Sequence, residues 1–244
     1  MTQTSSAEPP DVRALKEAVA TAARILFRLG LADYLGHPSA RVPGSGRVLI
    51  KPRHSRTIRG MGTLSAEQIV EIDLDGNLVD GADPPPGERF IHTEIYRARP
   101  DVGGIVHTHQ TLSTMFGVTE RPILPLLHVE APLVARGIPI YPSPELVHDP
   151  ERGAAVAAAL GDYPLCHLQG HGIVTVAPTV EEATIAAIHL ERLARANYIA
   201  AQLGTPRVIP PDVIDRLAGP MVDYHVRWAY YASLADDPTQ SANW

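Results

Sequence analysis

The segment Gly87–Gln110, GERFIHTEIYRARPDVGGIVHTHQ, constrains the fold more than any other stretch of the chain. Its first half, Glu88–Arg99, places Phe90, Ile91, Ile95 and Ala98 along one side of a helix, which Pro100 stops and Asp101 turns. Its second half, Val102–His109, is small and β-branched, as suits a buried strand. Helix and strand then run antiparallel, returning Glu88 at the helix start to the strand end that carries His107 and His109. Strand side chains alternate faces, so two imidazoles two residues apart point the same way, the disposition of a pair of metal ligands.

Two histidines on a strand do not make a site by themselves, because buried histidines often satisfy backbone groups. A third ligand is needed, and His171 is the best candidate, framed by Gly170 and Gly172 in the apolar run HLQGHGIVTVAP. Three neutral imidazoles suit zinc or another transition metal with an open coordination position. Three structural histidines are the alternative.

The rest of the chain supplies a core and few other signals. At 244 residues and 45% hydrophobic content it fits one sizeable domain. A net charge of -6 without a basic cluster argues against a nucleic-acid partner. The single Cys166 lies in an apolar run, as a small buried hydrophobe does, and no stretch approaches a membrane span, so a cytoplasmic protein is expected. Residues 1–10, rich in Ser, Thr and Pro, are expected to be a disordered tail. From Asp11, a natural N-cap, helical periodicity runs through VRALKEAVATAARILFRLGL. EIDLDGNLVDG reads as a hairpin turning at Asp75–Asn77, DPERGAAVAAALGD as an Ala-rich helix, and PTVEEATIAAIHLERLARANYIAAQLG as a long helix. Helices and strands interleave, which predicts a single-domain α/β fold with a central, mainly antiparallel sheet flanked by helices.

Three stretches admit more than one reading. Arg53, Arg56 and Arg59, with His54, form either a solvated face or an anion-binding loop. His128 and Glu130 face either the cleft or a subunit contact. The extension 205–244 holds one or two helices rich in Tyr and Trp, a composition typical of subunit interfaces.

Glu88, His107, His109 and His171, within the phrases IYRARPDVGGIVHTHQ and LQGHGIVTVAPTVEEA, resemble the class II aldolase/adducin family from about Val12 to about Gly204. The resemblance implies one divalent metal per subunit, zinc, manganese, iron or cobalt, held by those four residues. It also implies ring-like homo-oligomers, commonly tetramers, with sites between subunits, so that a C-terminal aromatic group could arrive from a neighbour; Tyr224 and His225 are the candidates for proton donors in trans. The stretch Gly36–Arg41 aligns with a substrate-handling loop of the family, but carries His37 where the aldolases have an asparagine. Pro86–Gly87 stand where a phosphate-binding serine pair would lie.

A Lewis-acid metal serves either retro-aldol cleavage or decarboxylation, because both leave negative charge that an adjacent oxygen must absorb. The two departures make a phosphate site doubtful. His37, Ser39, Arg41, Arg53, Arg56 and Arg59 instead form a set suited to flat carboxylates. The pattern is similar to the decarboxylase branch of the family, which implies a carboxy-lyase for a hydroxylated aromatic dicarboxylate, with Glu88 and His37 as catalytic groups. An aldolase or epimerase acting on a sugar phosphate or hydroxy-ketoacid is the alternative, and a non-catalytic adducin-like binding module the remote one.

Overall fold

Eight strands form one sheet in the computed structural model, which describes residues 11–217 and 223–237. The expected tail, residues 1–10, lies outside the described residues. The strands are β1 (His37–Val42), β2 (Arg47–Ile50), β3 (Val70–Asp73), β4 (Leu78–Asp80), β5 (Gly104–Thr108), β6 (Ile140–Tyr141), β7 (Leu165–Leu168) and β8 (Gly172–Ala177). Their spatial order is β4-β3-β2-β1-β5-β8-β7-β6, and every pairing is antiparallel except β6 with β7.

Helices cover both faces of the sheet. On one side α2 (Arg89–Ala98) and α5 (Pro150–Leu160) bury Ile91, Ile95, Val156 and Leu160 against Ile50, Ile105 and Val174. On the other, α1 (Val12–Arg28) and α6 (Val180–Leu203) bury Ile25, Leu26, Ile188 and Leu193 against Ala40, Leu49 and Val106. Each such aliphatic side chain contributes roughly 1.5–3 kcal/mol when fully buried. Shorter helices α3 (Thr111–Thr119), α4 (Ala131–Val134) and α7 (Pro211–Leu217) fill the connections, and α8 (Tyr224–Asp236) packs on α1 and α6. Asp11 caps α1 as expected, its carboxylate accepting from the N–H groups of Arg13 and Ala14. The expected hairpin is β3–β4, turning through Gly76 at φ 81°.

The pair Gly103–Gly104 is demanded by tertiary contact. A Cβ on Gly103 would lie 2.0 Å from the carbonyl oxygen of Pro178, and one on Gly104 would lie 2.2 Å from the nitrogen of Val180. The β8–α6 connection therefore crosses directly over the start of β5.

The stretch Gly36–Arg41, aligned with a loop in the sequence, is an interior strand instead. β1 is hydrogen-bonded on both sides, with Ser39 opposite Ile50 of β2 and Ile105 of β5. Pro38 has no N–H to donate and reads locally as a turn residue, but it is the second residue of the strand, and its carbonyl accepts from the N–H of Lys51 at 3.2 Å. Alternation then sends Ala40 and Val42 to the α1 face and His37, Ser39 and Arg41 to the α2 face.

Candidate metal centre

β5 ends beside the turn between β7 and β8, and α2 begins above the same place. His107 lies in register with His37 of β1 and Val174 of β8, and His109 follows the last residue of β5. His171 occupies the β7–β8 turn. Gly172, next to it, permits the close approach: a Cβ there would meet the carbonyl oxygen of Thr108 at 2.4 Å and the His109 ring at 2.9 Å. Glu88 is the N-cap residue of α2, and its Oε1 accepts from the N–H of Val147 at 3.0 Å.

One donor atom from each of Glu88, His107, His109 and His171 lies within 4.8 Å of the others. The Nε2 atoms of His107 and His109 are 3.0 Å apart, His171 Nε2 is 3.4 Å from Glu88 Oε1, and His107 Nε2 is 3.9 Å from Glu88 Oε2. Donors held about 2.1 Å from a zinc-class ion stand roughly 3.4 Å apart in a tetrahedron, a spacing these values bracket.

The donor chemistry fits a cation. His107 Nδ1 is 2.9 Å from the carbonyl oxygen of Ile173, which can only accept, so the proton sits on Nδ1 and the Nε2 lone pair points into the cluster. Both ring nitrogens of His171 are buried, Nδ1 with no partner and Nε2 facing Glu88 Oε1 at 3.4 Å without hydrogen-bond geometry. An orphaned buried polar group costs about 1–3 kcal/mol, and a metal ion would relieve that cost. Burial, followed by the neighbouring imidazoles, lowers the pKa of His107 and of His109, leaving neutral rings. Burial pushes the Glu88 carboxyl up, but His171, His107 and the N–H of Val147 outweigh it and bring the group to about 2, so the ligand set carries a full carboxylate at neutral pH.

Around the four candidate ligands lies a second set of buried polar groups. His37 stands beside His107, ring centroids 5.0 Å apart, and its Nδ1 is 2.7 Å from Nε2 of His92. His92 Nδ1 is in turn 2.6 Å from the Ser39 hydroxyl, which lies 2.9 Å from the Tyr96 hydroxyl. Ser39 is fully buried within this chain of contacts. Sequence reasoning missed His92 and Tyr96, although a signal was there: they follow Glu88 by four and eight residues and so share its side of α2. It also missed Lys51, which is 2% exposed, donates to the Tyr34 carbonyl at 3.0 Å, and is pushed down to about 8 by burial.

The remaining predicted residues are dispersed. The guanidinium of Arg41 donates to the carbonyls of Tyr96 (2.6 Å), Val102 (2.9 Å) and Arg99 (3.0 Å), so it is engaged by the main chain at the end of α2. Arg53, Arg56 and Arg59 are exposed. Their loop is anchored to the approach to Glu88 by Arg53 N–H donating to Pro84 O and by the Ser55 and Thr57 hydroxyls donating to Asp83. Tyr224 and His225 share a cavity with Thr179 and Glu182, residues that follow β8, whereas His171 precedes it. A six-residue strand spans about 20 Å, so within one chain the pair stands at the far end of the sheet from the ligand cluster. His128 and Glu130 line a separate cavity of about 490 Å³ between α6 and α8, where Glu130 pairs with Arg192 at 2.9 Å. Among the described residues, no helix is long and apolar enough to cross a membrane.

Residues 17–198 match the family described as the class II aldolase and adducin N-terminal domain. The chain is 36% identical over 199 residues to 3,4-dihydroxyphthalate decarboxylase of Arthrobacter keyseri, covering 78% of this chain and 79% of that protein. It is 30% identical over 205 residues to the 5-methylthioribulose-1-phosphate/5-deoxyribulose-1-phosphate aldolase of Rhodospirillum rubrum, covering 84% and 89%. The solved structure of an aldolase II superfamily protein from Pseudomonas syringae superposes with a TM-score of 0.79 at 22% identity, over 93% of this chain and 94% of that one. With the expected fold present and the match spanning most of its length, the chain belongs to the class II aldolase and adducin family.

Proposed function

We propose that this protein is a metal-dependent carboxy-lyase that removes carbon dioxide from a hydroxylated aromatic dicarboxylate of the 3,4-dihydroxyphthalate kind. The observation that carries the reading is the wall of the ligand cluster. A histidine, His37, stands beside His107, and the residues just before Glu88 are Pro86 and Gly87, which offer no side-chain donor for a phosphate. The decarboxylase of Arthrobacter keyseri, similar over most of its length, supports the same reading.

Glu88, His107, His109 and His171 are the residues that would hold a divalent ion, zinc, manganese, iron or cobalt. Such an ion would supply Lewis acidity, absorbing the negative charge that develops on a substrate oxygen as the carbon–carboxylate bond breaks. His37 and the cationic loop of Arg53, Arg56 and Arg59 bind and orient the carboxylates. The bond between ring carbon and carboxylate breaks, carbon dioxide leaves, and the ring carbon takes one proton. Glu88 is ionised at neutral pH and is a poor resting acid, so that proton comes from water or from a group such as Tyr224 or His225 of a neighbouring copy in a homo-oligomer.

The test is carbon dioxide release from 3,4-dihydroxyphthalate by purified protein, with and without a chelator and with manganese or zinc restored. Metal-dependent release is expected. Turnover of a phosphorylated ketose in its place would decide for aldol chemistry, the activity named for the Rhodospirillum rubrum relative. A metal-free, inactive protein would point to an adducin-like binding module.

A further inference from the structure

The buried groups behind His37 form one directed chain. Its order is Tyr96 hydroxyl, Ser39 hydroxyl, His92 ring and His37 ring, with successive separations of 2.9, 2.6 and 2.7 Å. Tyr96 is 1% exposed, Ser39 and His92 are fully buried, and His37 is 5% exposed, so water does not compete with these contacts.

The direction of donation follows from the far end. The Tyr96 hydroxyl has one other acceptor within reach, the carbonyl oxygen of Gly103, but at 3.5 Å that contact lies at the limit of a hydrogen bond, against 2.9 Å to the Ser39 hydroxyl. A phenol is also a better donor than an aliphatic hydroxyl. Tyr96 therefore donates to Ser39, Ser39 donates to Nδ1 of His92, and the single proton of His92 resides on Nε2, which donates to Nδ1 of His37. His37 is left with its proton on Nε2, the ring nitrogen that His92 does not engage.

We propose that Ser39, His92 and Tyr96 are positioning residues that lock His37 as the Nε2–H tautomer, so that it meets a substrate carboxylate as a neutral hydrogen-bond donor. The role of the carboxylate rests on the decarboxylase reading; the tautomer does not. The same chain cannot hand a net proton to the substrate. Moving every proton one step would leave a phenolate on Tyr96, at a buried site where burial already raises the phenol's pKa. His92, held neutral by burial and lowered to about 3, does not supply one either. The device transmits orientation, and His37 holds the substrate without serving as its acid.

The test is a long-range proton–nitrogen spectrum of the zinc-loaded protein labelled with 15N-histidine, with the His37 signals assigned from His37→Asn. The expected result is a protonated Nε2 and a bare Nδ1 on His37, unchanged in His92→Gln, whose carboxamide can still donate to His37, and lost in His92→Phe. With 3,4-dihydroxyphthalate as substrate, His92→Phe is expected to raise KM about tenfold, the loss of one oriented hydrogen bond to a charged group, with a smaller effect on kcat, and His92→Gln to restore most of it. A proton on Nδ1 of His37 in the unsubstituted protein would overturn the proposal, as would an unchanged KM in folded His92→Phe. If no aromatic dicarboxylate turns over, the spectrum still decides the tautomer, and only the functional reading falls.

Discussion

Replacing Lys51 by Met should stabilise the protein at neutral pH. The Lys51 ammonium is 2% exposed at the end of β2, with the Tyr34 carbonyl as its hydrogen-bond acceptor. Burial lowers its pKa from 10.5 to about 8, against the pull of the Asp33 carboxylate, and His37 is the other titratable group close by. Below about pH 8 the amine is charged in both the folded and the unfolded chain, and the folded chain bears a penalty of about 3 kcal/mol for burying that charge. Between about pH 8 and 10.5 the folded protein has released the proton while the unfolded chain still binds it, so stability rises with pH until the penalty is gone. Lys51→Met keeps the packing of the stem but leaves the Tyr34 carbonyl unpaired, at a loss of about 1 kcal/mol. The net gain at pH 7 is therefore about 2 kcal/mol, or roughly 4–8 °C in Tm for a chain of this size. Urea unfolding of both proteins in chelator, at pH 7 and at pH 10.5, measures the difference without any contribution from metal binding. A variant less stable at pH 7, or a gap that fails to narrow at high pH, would refute the reasoning.

His107→Ala removes one of three imidazoles and its hydrogen bond to Ile173, and should reduce bound metal, read by elemental analysis after dialysis, and abolish carbon dioxide release; full metal content with full turnover would contradict the ligand assignment. Gly104→Ala would place a Cβ 2.2 Å from a backbone nitrogen of the β8–α6 connection, and is expected to lower the urea midpoint by about 3 kcal/mol equivalent or to prevent soluble expression. Arg41→Ala removes the guanidinium from the carbonyls of Tyr96, Arg99 and Val102, of which Arg99 keeps the N–H of Val102 as a donor, and should cost roughly 2 kcal/mol of stability in the same assay while leaving metal stoichiometry intact; unchanged stability would show that these bonds are dispensable.

The helix–strand unit around Glu88 was legible because its signals are local. Helical periodicity, Pro100 and the alternating strand residues all act within a few positions of the groups they place, and the expected helix 88–99 and the observed α2, 89–98, differ by one residue at each end. The convergence of Glu88 on His107 followed from the same local geometry, since a short helix joined by a tight turn to an antiparallel strand has little choice of where its start returns. His171 was reachable for a related reason: a histidine between two glycines at a strand turn has few structural alternatives.

What lies behind the ligands was not legible, because it depends on strand order. β1 stands between β2 and β5 only through pairings across tens of residues, and that placement sets His37 against His107, turns Ser39 toward α2, and buries Lys51 at the end of β2. A sequence offers Arg41 as a free cation; only the packed α2 terminus engages it with three carbonyls. It likewise offers Tyr224 and His225 as candidates, and only the course of β8 puts the length of a strand between them and the cluster within one chain. The chain by itself determined most of the helices and strands and the four residues that group as a candidate metal site, since periodicity, turns and close pairs are written in neighbouring residues. The tertiary structure alone decided which other polar groups surround those four residues, because long-range strand pairing and burial are properties of the assembled sheet.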